Sequence, residues 1–203
     1  MNAQTGSVNI AGEAEFTNNT AKSLGGAIYV RKGTLNINAN KGDIVFKGNR
    51  QGATFVSENR TLDTGNSYIF YKPVEGTGTP NSIYWETSNA LTLNGTQGNA
   101  IRFYDPLALV AGATLTLDQN GTGETVFYGD NGKSTAFDTD INVNTNINSG
   151  TFTVADGVNY GRTTYGTFNL KNSATLKGEN SGTLKAATIN LNSGSGIAVA
   201  GGT

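Results

Sequence analysis

Few residues in this 203-residue chain have the types and spacing that chemistry needs, and two types are missing altogether. There is no histidine and no cysteine, which removes the commonest general base, thiol nucleophiles and the usual zinc ligands. No Gly-x-Ser-x-Gly turn occurs, and without an imidazole a serine would lack its activating base. Asp138-Thr139-Asp140 would set two carboxylates on one strand face, where such a pair can act as acid and base or hold calcium. The run lacks the glycine and distal glutamate of a calcium loop and reads as solvated turn. Asp105-Pro106 reads as a turn in which proline fixes the chain direction. Gly132-Lys133-Ser134-Thr135 copies the end of a phosphate loop, but Phe127 stands where its first glycine belongs and no helix is expected to follow. The Asn-x-Thr triplets at Asn18, Asn59, Asn94 and Asn120 are expected by chance in this composition and matter only in a eukaryotic secretory route. The expectation is no catalysis, no cofactor and no metal site.

One concentration of residues has binding character. Tyr68, Phe70, Tyr71, Tyr84 and Trp85 fall within Gln51 to Thr87, together with Pro73, Pro80 and the Gly76-Thr77-Gly78-Thr79 run. Tyrosine and tryptophan bury large areas at low entropy cost and dominate binding hot spots, and their faces also stack on sugars. The alternative is that these rings pack on the outside of the fold or cap its end, shielding a sheet edge. The stretch breaks the rhythm around it and predicts an insertion or hairpin projecting at about residues 60–86.

That rhythm specifies the elements that hold everything in place. Val8-Asn9-Ile10, Leu35-Asn36-Ile37, Leu91-Thr92-Leu93, Leu115-Thr116-Leu117, Phe168-Asn169-Leu170 and Ile189-Asn190-Leu191 are each apolar, polar, apolar. This is the period of a half-buried strand and not of a helix. Turn formers such as Ala11-Gly12, Asn94-Gly95 and Ser149-Gly150 separate them. Strands this short and this evenly spaced suit a sandwich, a barrel or a solenoid. Aliphatic pairs flanking an outward Asn or Thr, repeated throughout, select the solenoid, because stacked coils repeat each position above itself. The expected fold is all-β, a right-handed parallel β-helix with little or no α-helix. One segment over 1–203 is expected to hold some eight to ten coils of about twenty to twenty-five residues, repeat periods of that size being the rule for such folds.

Composition narrows the partners. Lys and Arg number 14 against 15 Asp and Glu, a net charge of -1, without the clustered basic surface that nucleic acid or an anionic membrane requires. No apolar run is long enough to span a bilayer. Met1-Asn2-Ala3-Gln4 has neither the basic nor the apolar region of a signal peptide, so an export signal is expected outside this sequence, which reads as a fragment. The lack of cysteine fits a chain that crosses an oxidising compartment unfolded, although a cytosolic protein can also lack it.

Two local signatures resemble a known family. Phe16-Thr17-Asn18-Asn19, followed by Gly25-Gly26-Ala27-Ile28, and a second F-x-x-N at Phe46-Lys47-Gly48-Asn49 are similar to the repeat unit of the chlamydial-type polymorphic outer membrane proteins, with weaker echoes of autotransporter passengers beyond residue 50. The resemblance implies a β-helical passenger exported through its own barrel and held at the cell surface, acting as an adhesin on a host cell-surface protein or glycan. On physical grounds these motifs read as structural grammar. Phe16 and Phe46 would fill the coil interior, while Asn19 and Asn49 would turn the chain through αL or a bond to their own backbone. Gly25 and Gly26, followed by Ala27, would allow a tight corner and close approach of neighbouring coils, and Ile28 would enter the core. Three functions stay open: an adhesin segment binding through the solenoid face and the loop, a passive stalk, and a carbohydrate-active β-helix enzyme. Self-association through exposed coil ends is open as well; nucleic-acid binding and membrane insertion are not expected.

Overall fold

The computed structural model describes residues 2–3, 6–61, 64–129, 135–137, 142–161, 166–171 and 173–200. Asp138, Asp140 and the Gly132-Lys133-Ser134 stretch lie outside them. Among the described residues there is no helix. Two seven-stranded sheets dominate, and every neighbouring pair in both is parallel and in register. The first runs from Ser7–Ala11 through Thr34–Ala39, Asn89–Gly95, Thr114–Gln119, Asn142–Ile147 and Thr167–Leu170 to Thr188–Leu191. The second runs from Ala14–Thr17 to Gly196–Ala200 in the same order. A third face is built by Asn2–Ala3, Ile28–Val30, Ile83–Trp85 and Leu107–Leu109, and further along by Asn159–Gly161 with Thr183–Lys185. The chain visits the faces in rotation, which makes a parallel β-helix.

The coil length follows from the register. Val8 lies beside Leu35, Leu35 beside Leu91, Leu91 beside Leu117, Leu115 beside Val143, Thr145 beside Phe168 and Phe168 beside Ile189. Successive layers are therefore 27, 56, 26, 28, 23 and 21 residues apart. The described residues form seven layers, fewer than the eight to ten expected, because several coils exceed twenty-five residues and one is doubled by an excursion. That excursion is an antiparallel hairpin, Phe55–Thr61 against Ser67–Pro73. It starts and ends earlier than the 60–86 range expected. Ile83–Trp85 has already rejoined the stack, paired with Ile28–Val30 on one side and Leu107–Leu109 on the other.

The alternation of the sequence becomes a division between inside and outside. Leu35, Leu91 and Leu117 form one buried column, and Ile37, Leu93, Ile147 and Leu170 form most of another. Gln119 interrupts the second column, giving its Nε2 protons to the carbonyls of Ser149 and Thr151 at 2.9 and 3.1 Å. The residues between these columns point outward and bond along the axis. Asn36 donates to Asn9 at 2.8 Å, and Asn146, Asn169 and Asn190 each donate to the residue one layer below at 2.7 Å.

A phenylalanine column runs beside the aliphatic ones. Phe16, Phe46, Phe103 and Phe127 occupy one register position, with ring centroids 4.7, 5.1 and 5.0 Å apart and planes within 18°. Above Phe127 the position passes to Val154. The rings then turn edge-on, Phe152 and Phe168 meeting Tyr160 at 5.1 and 6.0 Å. The Tyr160 hydroxyl is deep in the core, where burial pushes its pKa far above the ordinary value although its bond to Thr145 opposes this. That bond is 2.7 Å long. Replacing Phe103 by Ala removes the middle of the column and is expected to cost about 3–5 kcal/mol. Tyr68→Ala on the exposed hairpin is expected to cost within roughly 0.5 kcal/mol. Urea unfolding of both variants measures the contrast.

Candidate binding surface

The hairpin is a two-stranded sheet of its own, outside the stacked sheets. All of Ser67–Pro73 is exposed, as is every residue of Val56 to Thr61. Its seven cross-strand pairs separate two faces. One carries Val56, Glu58, Arg60, Tyr68, Phe70 and Lys72. There the Arg60 guanidinium bonds Glu58 at 3.1 Å and lies 5.4 Å from the Phe70 ring centroid. The other face holds Phe55, Ser57, Asn59, Thr61, Ser67, Ile69, Tyr71 and Pro73 and has no charge. On it Ile69 is 62% and Tyr71 68% exposed.

The five aromatic residues read from the sequence as one group therefore divide. Tyr68, Phe70 and Tyr71 are on the hairpin. Trp85 is fully buried in the core and is removed from the candidate surface. Among the described residues its Nε1 proton has no hydrogen-bond partner, so the ring contributes apolar volume. Tyr84 faces outward on the third side of the coil, half-buried and stacked on Tyr29 at 6.2 Å. The Tyr29 hydroxyl donates to Glu86 at 2.6 Å, and Arg31 meets the same carboxylate at 3.2 Å. The bond to Glu86 raises the Tyr29 pKa, with smaller contributions from burial and from the carboxylate's charge.

A second outward aromatic pair escaped the sequence reading. Tyr104 and Tyr128 stack at 4.3 Å with planes 5° apart. Lys47 lies 4.6 Å from the Tyr104 ring centroid. Arg102 donates to the Tyr128 hydroxyl and to Asp43, each at 2.9 Å, and Asp43 also accepts the Ala100 N–H at 2.7 Å. Only the coil period could have revealed this pair, since the two rings are far apart in sequence and adjacent in the stack. Partial burial pushes the Asp43 pKa up, but the Ala100 N–H and the Arg102 guanidinium outweigh it and hold the carboxyl below its ordinary value. Such a group stabilises the fold above its unfolded-state pKa and loses that contribution as pH falls through the lowered folded value. Acid titration of native protein and Asp43→Asn should thus diverge above roughly pH 4 and converge below it.

The family motifs hold layers together. Phe46 and Ile28 are fully buried, and Ala27 nearly so. Asn49, also fully buried, bonds across layers and not to its own backbone as expected. Its Nδ2 donates to the Phe16 carbonyl and to Asp105, both at 2.7 Å, and its Oδ1 accepts from the Asn19 side chain at 2.9 Å. The turn itself is made one residue earlier, where Asn18 and Gly48 have positive φ of 54° and 73°. Asp105 completes the corner: its carboxylate accepts the Gly48 and Asn49 N–H groups at 2.9 Å each, a structural role that the turn reading missed. Gly25 turns with φ 69°, and a Cβ on Gly26 would strike the Asn81 carbonyl and the Arg50 backbone nitrogen. Asn49→Ala removes the buried amide that bridges the Phe16 carbonyl, Asp105 and Asn19 and should lower stability by about 1–3 kcal/mol. Asn19→Ala, at an exposed position, should cost clearly less; differential scanning fluorimetry ranks the two.

Comparison with curated proteins finds relatives of one kind. Over 127 residues, 58% of this chain and 12% of the relative, the chain is 35% identical to "Probable outer membrane protein pmp8" of Chlamydia pneumoniae. Over 111 residues, 53% of this chain and 11% of the relative, it is 34% identical to "Probable outer membrane protein pmp2" of the same organism. A longer match over 220 residues reaches 97% of this chain and 21% of "Probable outer membrane protein pmp13", at 29% identity. The chain thus spans between about a tenth and a fifth of the length of these relatives. No family model matches the chain. No solved structure matches it either. The likeness first carried by Phe16–Asn19, Gly25–Ile28 and Phe46–Asn49 extends along most of the sequence, and the chain is similar to a segment of these outer membrane proteins of Chlamydia pneumoniae.

Proposed function

We propose that this chain is a cell-surface adhesin segment of a passenger, in which the β-helix is a rigid support and the hairpin contacts a host cell-surface protein or glycan. The observation carrying this reading is the uncharged hairpin face, where Ile69 and Tyr71 stand in solvent away from the core. Exposed apolar residues grouped on a projecting element mark interaction sites more often than isolated ones do. The outer membrane names of the relatives support placement at the cell surface. The segment has no catalytic role in this reading and uses no cofactor.

Labelled, monodisperse protein should bind cultured epithelial cells saturably, and heat-denatured protein should not. Tyr71→Ser with Ile69→Ser should weaken that binding at least tenfold, while far-ultraviolet circular dichroism stays unchanged. Tyr84→Ala should have a smaller effect. Absence of saturable binding at micromolar concentration would sink the adhesin reading. A passive stalk would then be favoured, consistent with the bonded Asn rows along the first sheet.

A further inference from the structure

The hairpin has a feature separate from its faces, which is an edge that no other described strand pairs with. Phe55–Thr61 pairs with Ser67–Pro73 through seven consecutive residues without a bulge. The only proline of the ribbon, Pro73, is in the other strand. Native edge strands are usually blunted by proline, bulges or isolated charges. Here the two charges of the strand neutralise each other, Glu58 and Arg60 being 3.1 Å apart. The outer edge of Phe55–Thr61 is a regular row of backbone donors and acceptors that matches another extended strand.

We infer that this edge pairs with the same edge of a second copy of the chain, antiparallel about a two-fold axis through Asn59, giving a four-stranded sheet shared by two molecules. Charge selects the register. With the axis at Asn59, Glu58 faces Arg60 of the second copy and Arg60 faces its Glu58, while Ser57 faces Thr61 on the opposite side of the sheet. Moving the axis by one residue sets Glu58 against Glu58 or Arg60 against Arg60, which cross-strand pairing disfavours. An axis between residues would place the charged face of one hairpin beside the neutral face of the other. The interface is isologous and therefore closed. It uses the edge and leaves the neutral face open, so it does not depend on the adhesin reading. A single strand edge buries less than the roughly 1,200 Å² of stable complexes, so the dimer should be weak and should weaken further with salt.

Sedimentation velocity over a range from about 1 µM to 1 mM, an affinity window suited to an interface of this size, tests the pairing with charge reversals. The native chain should dimerise with rising concentration. Glu58→Arg alone and Arg60→Glu alone should each weaken association at least tenfold, because each sets like charges across the axis. The double variant E58R/R60E should recover it, and so should an equimolar mixture of the two single variants, whose edges are complementary. Unchanged circular dichroism verifies folding throughout. A native chain that stays monomeric across the range overturns the inference. So does association indifferent to the charge reversals, which would assign contact to the coil ends and should then be lost in Ile197→Asp or Val199→Asp.

Discussion

The structure depends on one constraint: every strand of a parallel stack must find its backbone partners in the layer above and the layer below. Parallel neighbours lie about 4.8 Å apart, so a side chain in one layer always stands directly over its counterpart in the next. Residue type must then repeat at the coil period, or the column is interrupted. Leu35, Leu91 and Leu117 satisfy this with one residue type, and the four phenylalanines satisfy it with rings. The outward row satisfies it with amides that both donate and accept, so Asn146 and Asn169 each bond the residue above and the residue below. Repetition, which in another fold would mean low complexity, is here what lets a chain with only 36% hydrophobic residues close a continuous core.

Corners impose a second demand. Between two faces the chain must reverse direction while its neighbour does the same one layer away, leaving backbone N–H groups without strand partners. Asn49 and Asp105 supply those partners: an amide bridges to the carbonyl below and a carboxylate takes the N–H groups of Gly48 and Asn49. Glycine enters for a different reason. At Gly26 the Asn81 carbonyl occupies the space a Cβ would need, so the tight approach of layers at this corner excludes any other residue. These motifs are thus held by the geometry of the corner, and they say more about stacking than about what the surface meets.

This explains which parts were legible in the sequence. Strands, their parallel stacking and the core columns follow from period-two alternation, which depends on local spacing alone. The bridging role of Asn49 was not legible, because its partners Phe16 and Asp105 lie 33 and 56 residues away and are specified only once the register is known. Tyr104 and Tyr128 escaped for the same reason. Trp85 was misplaced by the opposite error: proximity in sequence to Tyr68, Phe70 and Tyr71 suggested proximity in space. The decisive signal was Ile83-Tyr84-Trp85, an apolar, aromatic, apolar triplet like Ile28-Tyr29-Val30, with which it pairs residue for residue.

Register also separates two kinds of exposed apolar surface. Ile189, Leu191, Ile197 and Val199 are between 46% and 67% exposed, comparable to Ile69 and Tyr71. They nevertheless stand in the interior columns, directly over Phe168, Leu170, Leu176 and Gly178. Their exposure is what any solenoid layer shows until a further layer covers it, and it carries no information about a ligand. Ile69 and Tyr71 belong to no column, since the hairpin pairs only with itself among the described residues. Stacking can never bury them. A chain that keeps large apolar side chains on an element outside its own repeat holds them there against the hydrophobic effect, and that cost is what distinguishes the hairpin from the rest of the molecular surface.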